Sequence, residues 1–167
     1  RLFETASGRL LATLSGHTDQ VLAVAISPDR RWLATASTDM SVRIWDVEKL
    51  LHPAEGQPPA PTYVLAGHAK PVARVVFAGS TAISAAEDGV IIVWNLAEGA
   101  KIREMAHGAA VSGLAVTPDG KWLASGGADN TVKVWSLADG ALARTLSGHL
   151  QPVLSIAISP DGNVLAG

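Results

Sequence analysis

Cysteine is absent from the 167 residues, which excludes disulfides, thiolate metal sites and cysteine nucleophiles. It does not fix a compartment, since a cysteine-free chain is stable in either redox setting. Charge is sparse: 17% of the residues are Asp, Glu, Lys or Arg, 13 basic against 15 acidic, for a net charge of −2. No run of like charge gathers anywhere. Nucleic acid and anionic membrane both demand a concentrated positive footprint, so neither is expected as a partner. Long apolar runs are missing as well. Val21–Ile26 and Val90–Trp94 are among the longest, far short of the ~20 residues that a membrane helix needs. The chain opens RLFETASGRL, with neither Met nor an apolar stretch, so no signal peptide is expected in it. Nothing in the sequence names a compartment, and the cytoplasm stands only as a default.

Apolar residues, by contrast, make up 48% of the chain. That is enough for one well-buried core, or for part of a larger one. Their arrangement is repetitive. Aligned on histidine, the chain reads GHTDQVLAVAISPDRRWLATASTDMSVRIWD, GHAKPVARVVFAGSTAISAAEDGVIIVWN, AHGAAVSGLAVTPDGKWLASGGADNTVKVWS and GHLQPVLSIAISPDGNVLAG. His17, His68, His107 and His149 are spaced by 51, 39 and 42 residues, a period typical of repeat architectures. Within the copies the offsets are tighter. Asp39, Asp88 and Asp129 follow their histidines by 22, 20 and 22 residues, and Trp45, Trp94 and Trp135 each follow their aspartate by 6.

Each copy predicts four short strands. A β-branched run is followed by a Ser/Thr-Pro-Asp turn. A strand of small residues leads to the aspartate turn, a third strand ends in tryptophan, and a fourth follows. No segment of 11 residues or more keeps helical periodicity, so the class is all-β. Four strands per ~42 residues, repeated, make propeller blades, which protect sheet edges by standing side by side. The repeats run near 16–65, 67–105 and 106–147, with partial copies at 1–15 and 148–167.

The combination of Gly-His, Ser-Pro-Asp-Gly, Leu-Ala-Ser-Gly-Gly and Val-Trp at fixed offsets resembles the WD-repeat (Trp-Asp repeat) β-propeller family over essentially the whole chain. There are departures. Only Trp45-Asp46 is a true Trp-Asp pair. Trp94-Asn95, Trp135-Ser136 and Phe3-Glu4 stand at the other positions, Ala106 replaces a glycine, and the second copy has AGST at 78–81 in place of the proline turn. The resemblance implies three complete four-stranded blades with half-blades at both ends. Rings of this family commonly have about seven blades, roughly 290 residues at this period, so a piece of a longer ring is the expectation. Two chains closing an eight-bladed homodimer would follow only if the chain were complete as given.

Ser or Thr, His and Asp together look like the parts of a catalytic triad. A triad occurs once per active site, however, and this constellation occurs three times at the same offsets. The resemblance implies instead a hydrogen-bonded network tying a loop to its blade. Its members are His17, Thr35, Asp39 and Trp45, then His68, Ser84, Asp88 and Trp94, then His107, Ser125, Asp129 and Trp135. Indole donates, hydroxyl and neutral imidazole donate and accept, and carboxylate accepts, so the four can form a relay. With these assigned, no catalytic residue, metal site or cofactor is expected. His52, beside Glu48 and Glu55, is a lone loop histidine, and Trp32 and Trp122 are expected to pack. The prolines of VEKLLHPAEGQPPAPT, residues 47–62, predict an extended loop.

The function implied is a non-catalytic platform for protein–protein interaction, with proteins or peptides as partners. The alternative is the regulatory or sensory propeller portion of a larger multidomain enzyme. Partners of similar proteins dock on the loops after each histidine and around each aspartate. Here those loops offer Gln20, Thr38, Lys70, Arg74, Glu87 and Gln151 as candidate partner-binding residues.

Overall fold

The structure, a computed structural model, describes residues 1–167. Three four-stranded antiparallel sheets follow one another along the chain. The first holds β3 (Val21–Ile26), β4 (Trp32–Ser37), β5 (Ser41–Asp46) and β6 (Tyr63–Ala66). The second holds β7 (Val72–Ala78), β8 (Thr81–Ala86), β9 (Val90–Asn95) and β10 (Ala100–Ala106). The third holds β11 (Val111–Val116), β12 (Trp122–Gly127), β13 (Val132–Ser136) and β14 (Leu142–Leu146). Two-stranded sheets flank them, β1 (Leu2–Phe3) with β2 (Leu10–Ala12) and β15 (Ala157–Ile158) with β16 (Leu165–Ala166). Each sheet is a meander; within the three large sheets short turns join successive strands, except that residues 47–62 separate β5 from β6.

The turns recur with the sequence. After the first strand of a blade, the residue following Pro-Asp takes a left-handed conformation, with φ of 64° at Arg30 and 69° at Gly120. After the second strand the residue following the aspartate does the same, at Met40, Gly89 and Asn130. Gly89 has a further reason to lack a side chain: a Cβ there would come within 3.0 Å of the Ala109 backbone of the third blade. The register also slips at the same place in the first strand of each blade, between Val21 and Ala23, Val72 and Arg74, and Val111 and Gly113. A bulge there adds twist to the innermost strand.

The innermost strands stand side by side, β3 against β7, β7 against β11 and β11 against β15. The core therefore lies between sheets, on both faces of each. In β9, Ile92 and Trp94 pack toward the first blade with Ala34, Ile44 and Phe77. Ile91 and Val93, on the other face, pack with Leu114, Leu123 and Trp135 of the third. The period of two puts alternate residues on opposite faces, which is why a strand buried on both sides reads as the unbroken run VIIVW. At the flanks the cover is partial. Leu2 of β1 and Leu14, just after β2, pack against Leu33 and Trp45, while Val24 and Ile26 on the same face of β3 remain exposed. β15 covers Ala124 and Val132, while every residue of β14 is exposed.

One expectation is corrected. Residues 47–51 are not extended: they form a helix, α1 (Val47–Leu51). The Asp46 carboxylate accepts from the Glu48 and Lys49 amides at 3.1 and 3.4 Å, the N-cap arrangement, and Leu50 is buried beside Leu33 and Trp45. All four prolines of the segment fall after α1, so they could not interrupt it. The rest of the segment, 52–62, is without strand or helix and rejoins the sheet where the Thr62 amide donates to the Ile44 carbonyl at 2.7 Å.

Candidate functional site

The twelve residues of the repeated constellation are brought together in three separate sets, one per complete blade. In the first, the Trp45 indole donates to Thr35 Oγ1 at 3.1 Å, His17 Nε2 meets the same oxygen at 2.8 Å, and His17 Nδ1 meets Asp39 Oδ2 at 2.8 Å. In the second, Trp94 donates to Ser84 Oγ at 2.8 Å, His68 Nε2 lies 2.7 Å from that oxygen, and Nδ1 lies 3.3 Å from Asp88 Oδ2. The third keeps the partners and turns the ring over. His107 Nδ1 now meets Ser125 Oγ at 2.8 Å and Nε2 meets Asp129 Oδ1 at 3.1 Å, with Trp135 on Ser125 at 2.8 Å.

The turned ring has a counterpart in the backbone. In the first two blades the carboxylate also accepts the amide after the histidine, Thr18 at 3.1 Å and Ala69 at 2.8 Å. In the third, the Gly108 amide reaches the Gly89 carbonyl at 3.4 Å instead. Each aspartate further closes its own turn, on the amides of Ser41, Val90 and Thr131. The sets thus join three pieces of chain: the loop before the innermost strand, the second strand and the third strand. Their polar atoms are occupied by one another. A hydroxyl held between indole and imidazole in a buried pocket is not placed to attack a substrate.

The sequence reading missed the residue two before each tryptophan. Arg43 donates to the Gly16 carbonyl at 2.7 Å, and the Lys133 ammonium donates to the His107 carbonyl while lying 3.6 Å from Asp129 Oδ2. Both pin the same loop from the third strand. Ile92 takes that place in the second blade and packs beneath Gly67. The signal was present in the alignment, as Arg, Ile and Lys at one offset, but their variety hid it.

Burial disfavours the imidazolium at His68 and His107 and depresses both below the ordinary 6.5, although Asp88 and Asp129 pull the other way. At Asp39 burial works against ionisation, but hydrogen bonds from Ser41 and His17 outweigh it and hold the carboxyl far below its ordinary range. At Asp129 burial is likewise outweighed, by Thr131 and His107, leaving the carboxyl at about 2. The sign follows from linkage. A histidine whose folded value is depressed gives up stability as pH falls through 6.5, because the unfolded chain then binds the extra proton. Asp129 keeps its contribution above 3.8 and loses it on the way down toward about 2, and Asp39 loses its own over a range that reaches lower still. Urea midpoints measured at falling pH should therefore show two descents, one beginning near 6.5 and one below 3.8. His68→Gln with His107→Gln should remove the first and keep the part of the second that belongs to Asp39.

Of the candidate contact residues, Gln20, Lys70, Glu87 and Gln151 are exposed on the loops at the histidine and aspartate end of the blades. Thr38 is half-buried, its hydroxyl donating to the Gln20 carbonyl at 3.2 Å. Arg74 lies not in a loop but on β7, just after the bulge, donating to the carbonyls of Ala73 at 2.8 Å and Leu154 at 3.3 Å. His149 is exposed and meets the Gly167 carbonyl at 3.2 Å. His52 ends α1 with Nε2 3.6 Å from Glu48 Oε1, both side chains in solvent. Trp32 packs as expected, whereas Trp122 is 38% exposed.

With this geometry in place, comparison with known proteins is decisive. The model of the WD domain, G-beta repeat, matches residues 8–46, 59–95, 99–136 and 140–167. The chain belongs to the WD-repeat family. Its sequence units start one strand before the sheets do, so that each of the first three supplies the outer strand of one sheet and three strands of the next, and the fourth supplies β14 with β15 and β16. Among relatives in Arabidopsis thaliana, pre-mRNA-processing factor 19 homolog 2 is 31% identical over 99% of this chain and 31% of its own length. Periodic tryptophan protein 2 is 30% identical over 99% of this chain and 18% of its own. Autophagy-related protein 16 is 26% identical over 98% and 31%. The chain thus spans about a third or less of these relatives. Membership in the WD-repeat family implies a role in protein–protein interaction.

Proposed function

We propose that this WD-repeat segment is a non-catalytic platform on which a protein complex assembles, with partner proteins or peptides docking on the loops at the histidine and aspartate end of the blades. The observation that carries the reading is the threefold use of the histidine, hydroxyl, aspartate and tryptophan set. The residue types that could do chemistry are spent internally in each complete blade, which leaves loop side chains as the variable surface on a rigid scaffold. Gln20, Thr38, Lys70, Glu87 and Gln151 supply mixed polarity there. Arg74 supplies a cation at the inner strand and is the one residue among the six of a type common at interface hot spots.

Affinity capture with the full chain as bait tests this. Lys70→Ala with Glu87→Ala should reduce recovery of a specific partner at least tenfold at an unchanged melting temperature, because both side chains are exposed and neither belongs to a network. Identical recovery from the double variant and the wild type would remove the loops from consideration.

A further inference from the structure

A cleft of about 480 Å³ opens between the second and third blades, at the end of the strands opposite the histidine and aspartate loops. Between the first and second blades the corresponding place holds an aromatic pair. Trp32, opposite Asp46 in the register, packs against Tyr63, opposite Ile44, with ring centroids 6.4 Å apart. The Arg31 guanidinium lies 4.8 Å over the Trp32 ring, and the Tyr63 hydroxyl donates to the Ala97 carbonyl of the next blade at 3.2 Å.

One blade on, the same two register positions hold other residues. Thr81, opposite Asn95, replaces the tryptophan, and Arg103, opposite Val93, replaces the tyrosine. Arg103 makes the corresponding bond, from one terminal nitrogen to the Ala138 carbonyl at 3.1 Å. Its other terminal nitrogen is buried and has no hydrogen-bond partner. Of the nearby acids, Asp139 feels the Arg103 charge but bonds Ser136 and the Ala141 amide, the latter at 3.0 Å, and not the guanidinium, while Asp119 accepts the Lys121 amide at 3.1 Å with the Lys121 ammonium at 3.5 Å. The walls are apolar, Val93 and Leu137 inside with Ile102 and Trp122 at the rim, the last two 47% and 38% exposed.

A buried cationic donor without an acceptor costs free energy that an incoming carboxylate would recover. We infer that this cleft is a second docking site, separate from the loop face, for an extended segment of a partner protein that places an apolar side chain against Trp122 and Ile102 and an adjacent Asp or Glu carboxylate on Arg103. The apolar walls favour a peptide over a free inorganic anion, and the lone unpartnered guanidinium nitrogen sets the requirement for one acid.

A library of random eight-residue peptides, selected on the full chain and counter-selected on Thr81→Trp/Arg103→Tyr, tests the site. That variant restores the aromatic pair of the first blade. Enrichment of sequences with Asp or Glu beside Leu, Ile or Phe is expected. A synthetic peptide of that class should bind the wild type at least tenfold more tightly than the variant, and should lose tenfold when its acid is changed to the amide. Arg103→Gln and the exposed-site change Ile102→Ser provide the same comparison should the aromatic variant fold poorly. Lys70→Ala/Glu87→Ala should bind the peptide unchanged, which separates this site from the loop face. The inference is overturned if no peptide prefers the wild type, or if the preferred peptides carry no acid.

Discussion

Trp94→Ala lowers the unfolding free energy by about 3–5 kcal/mol, the usual cost of emptying a buried aromatic site, and a denaturant titration reads it as a fall in midpoint. Trp94 is 3% exposed and lies in the largest apolar cluster, where the first and second blades meet. It is also the donor to Ser84, so its removal opens a cavity and unties one end of a network together. Trp94→Phe keeps most of the packing and loses the donor, and should cost about 1–3 kcal/mol. The difference between the two variants measures the packing share. A loss below about 1 kcal/mol for the alanine variant would mean that contact between blades is not what holds the second blade in place.

The properties of Trp94 explain why so much of the fold was legible in the sequence. Three copies of one pattern test each other: a histidine, a hydroxyl four before an aspartate and a tryptophan six after it cannot recur by accident, and the bonds of the first three sets join the residues so paired. The continuous VIIVW run marks a strand, and its burial on both faces is what the structure adds. What escaped notice depends on neighbours, not on a copy's own residues. Trp32 and Trp122 occupy the same place in their blades, yet Trp32 packs against Tyr63, whereas the register position of that tyrosine is held by Arg144 in the third blade and Trp122 is 38% exposed. Arg74 looked like part of a loop because it follows Lys70-Pro71 closely, and the bulge that carries it into β7 has no residue signature. At 47–62 the prolines drew attention from Asp46, whose carboxylate was free to cap a helix because the residue after tryptophan takes no part in the network. The turned ring of His107 is invisible in sequence, since imidazole offers a nitrogen on either side.

That turned ring makes His107 the sharper test of whether the networks stabilise the blades. His107 is fully buried and lies between Ser125 and Asp129. His107→Ala leaves the serine with the Trp135 indole alone and takes from Asp129 a contact that Thr131 and Lys133 only partly replace. The expected loss is about 1–3 kcal/mol, seen as a lower melting temperature in a thermal scan. Removing the ring also removes one cause of the depressed Asp129 value, so in this variant the acid limb of the stability profile should still begin near 3.8 but be smaller and finish at higher pH. His149→Ala is the control. His149 has the same position in its copy, but it is exposed and touches only the Gly167 carbonyl, so its replacement should change stability by less than about 0.5 kcal/mol. Equal losses for the two variants would attribute the effect to the loop that each histidine sits in. A loss confined to His107 attributes it to the closed set of hydroxyl, imidazole, carboxylate and indole, since the His107 ring meets both hydroxyl and carboxylate and the His149 ring meets neither.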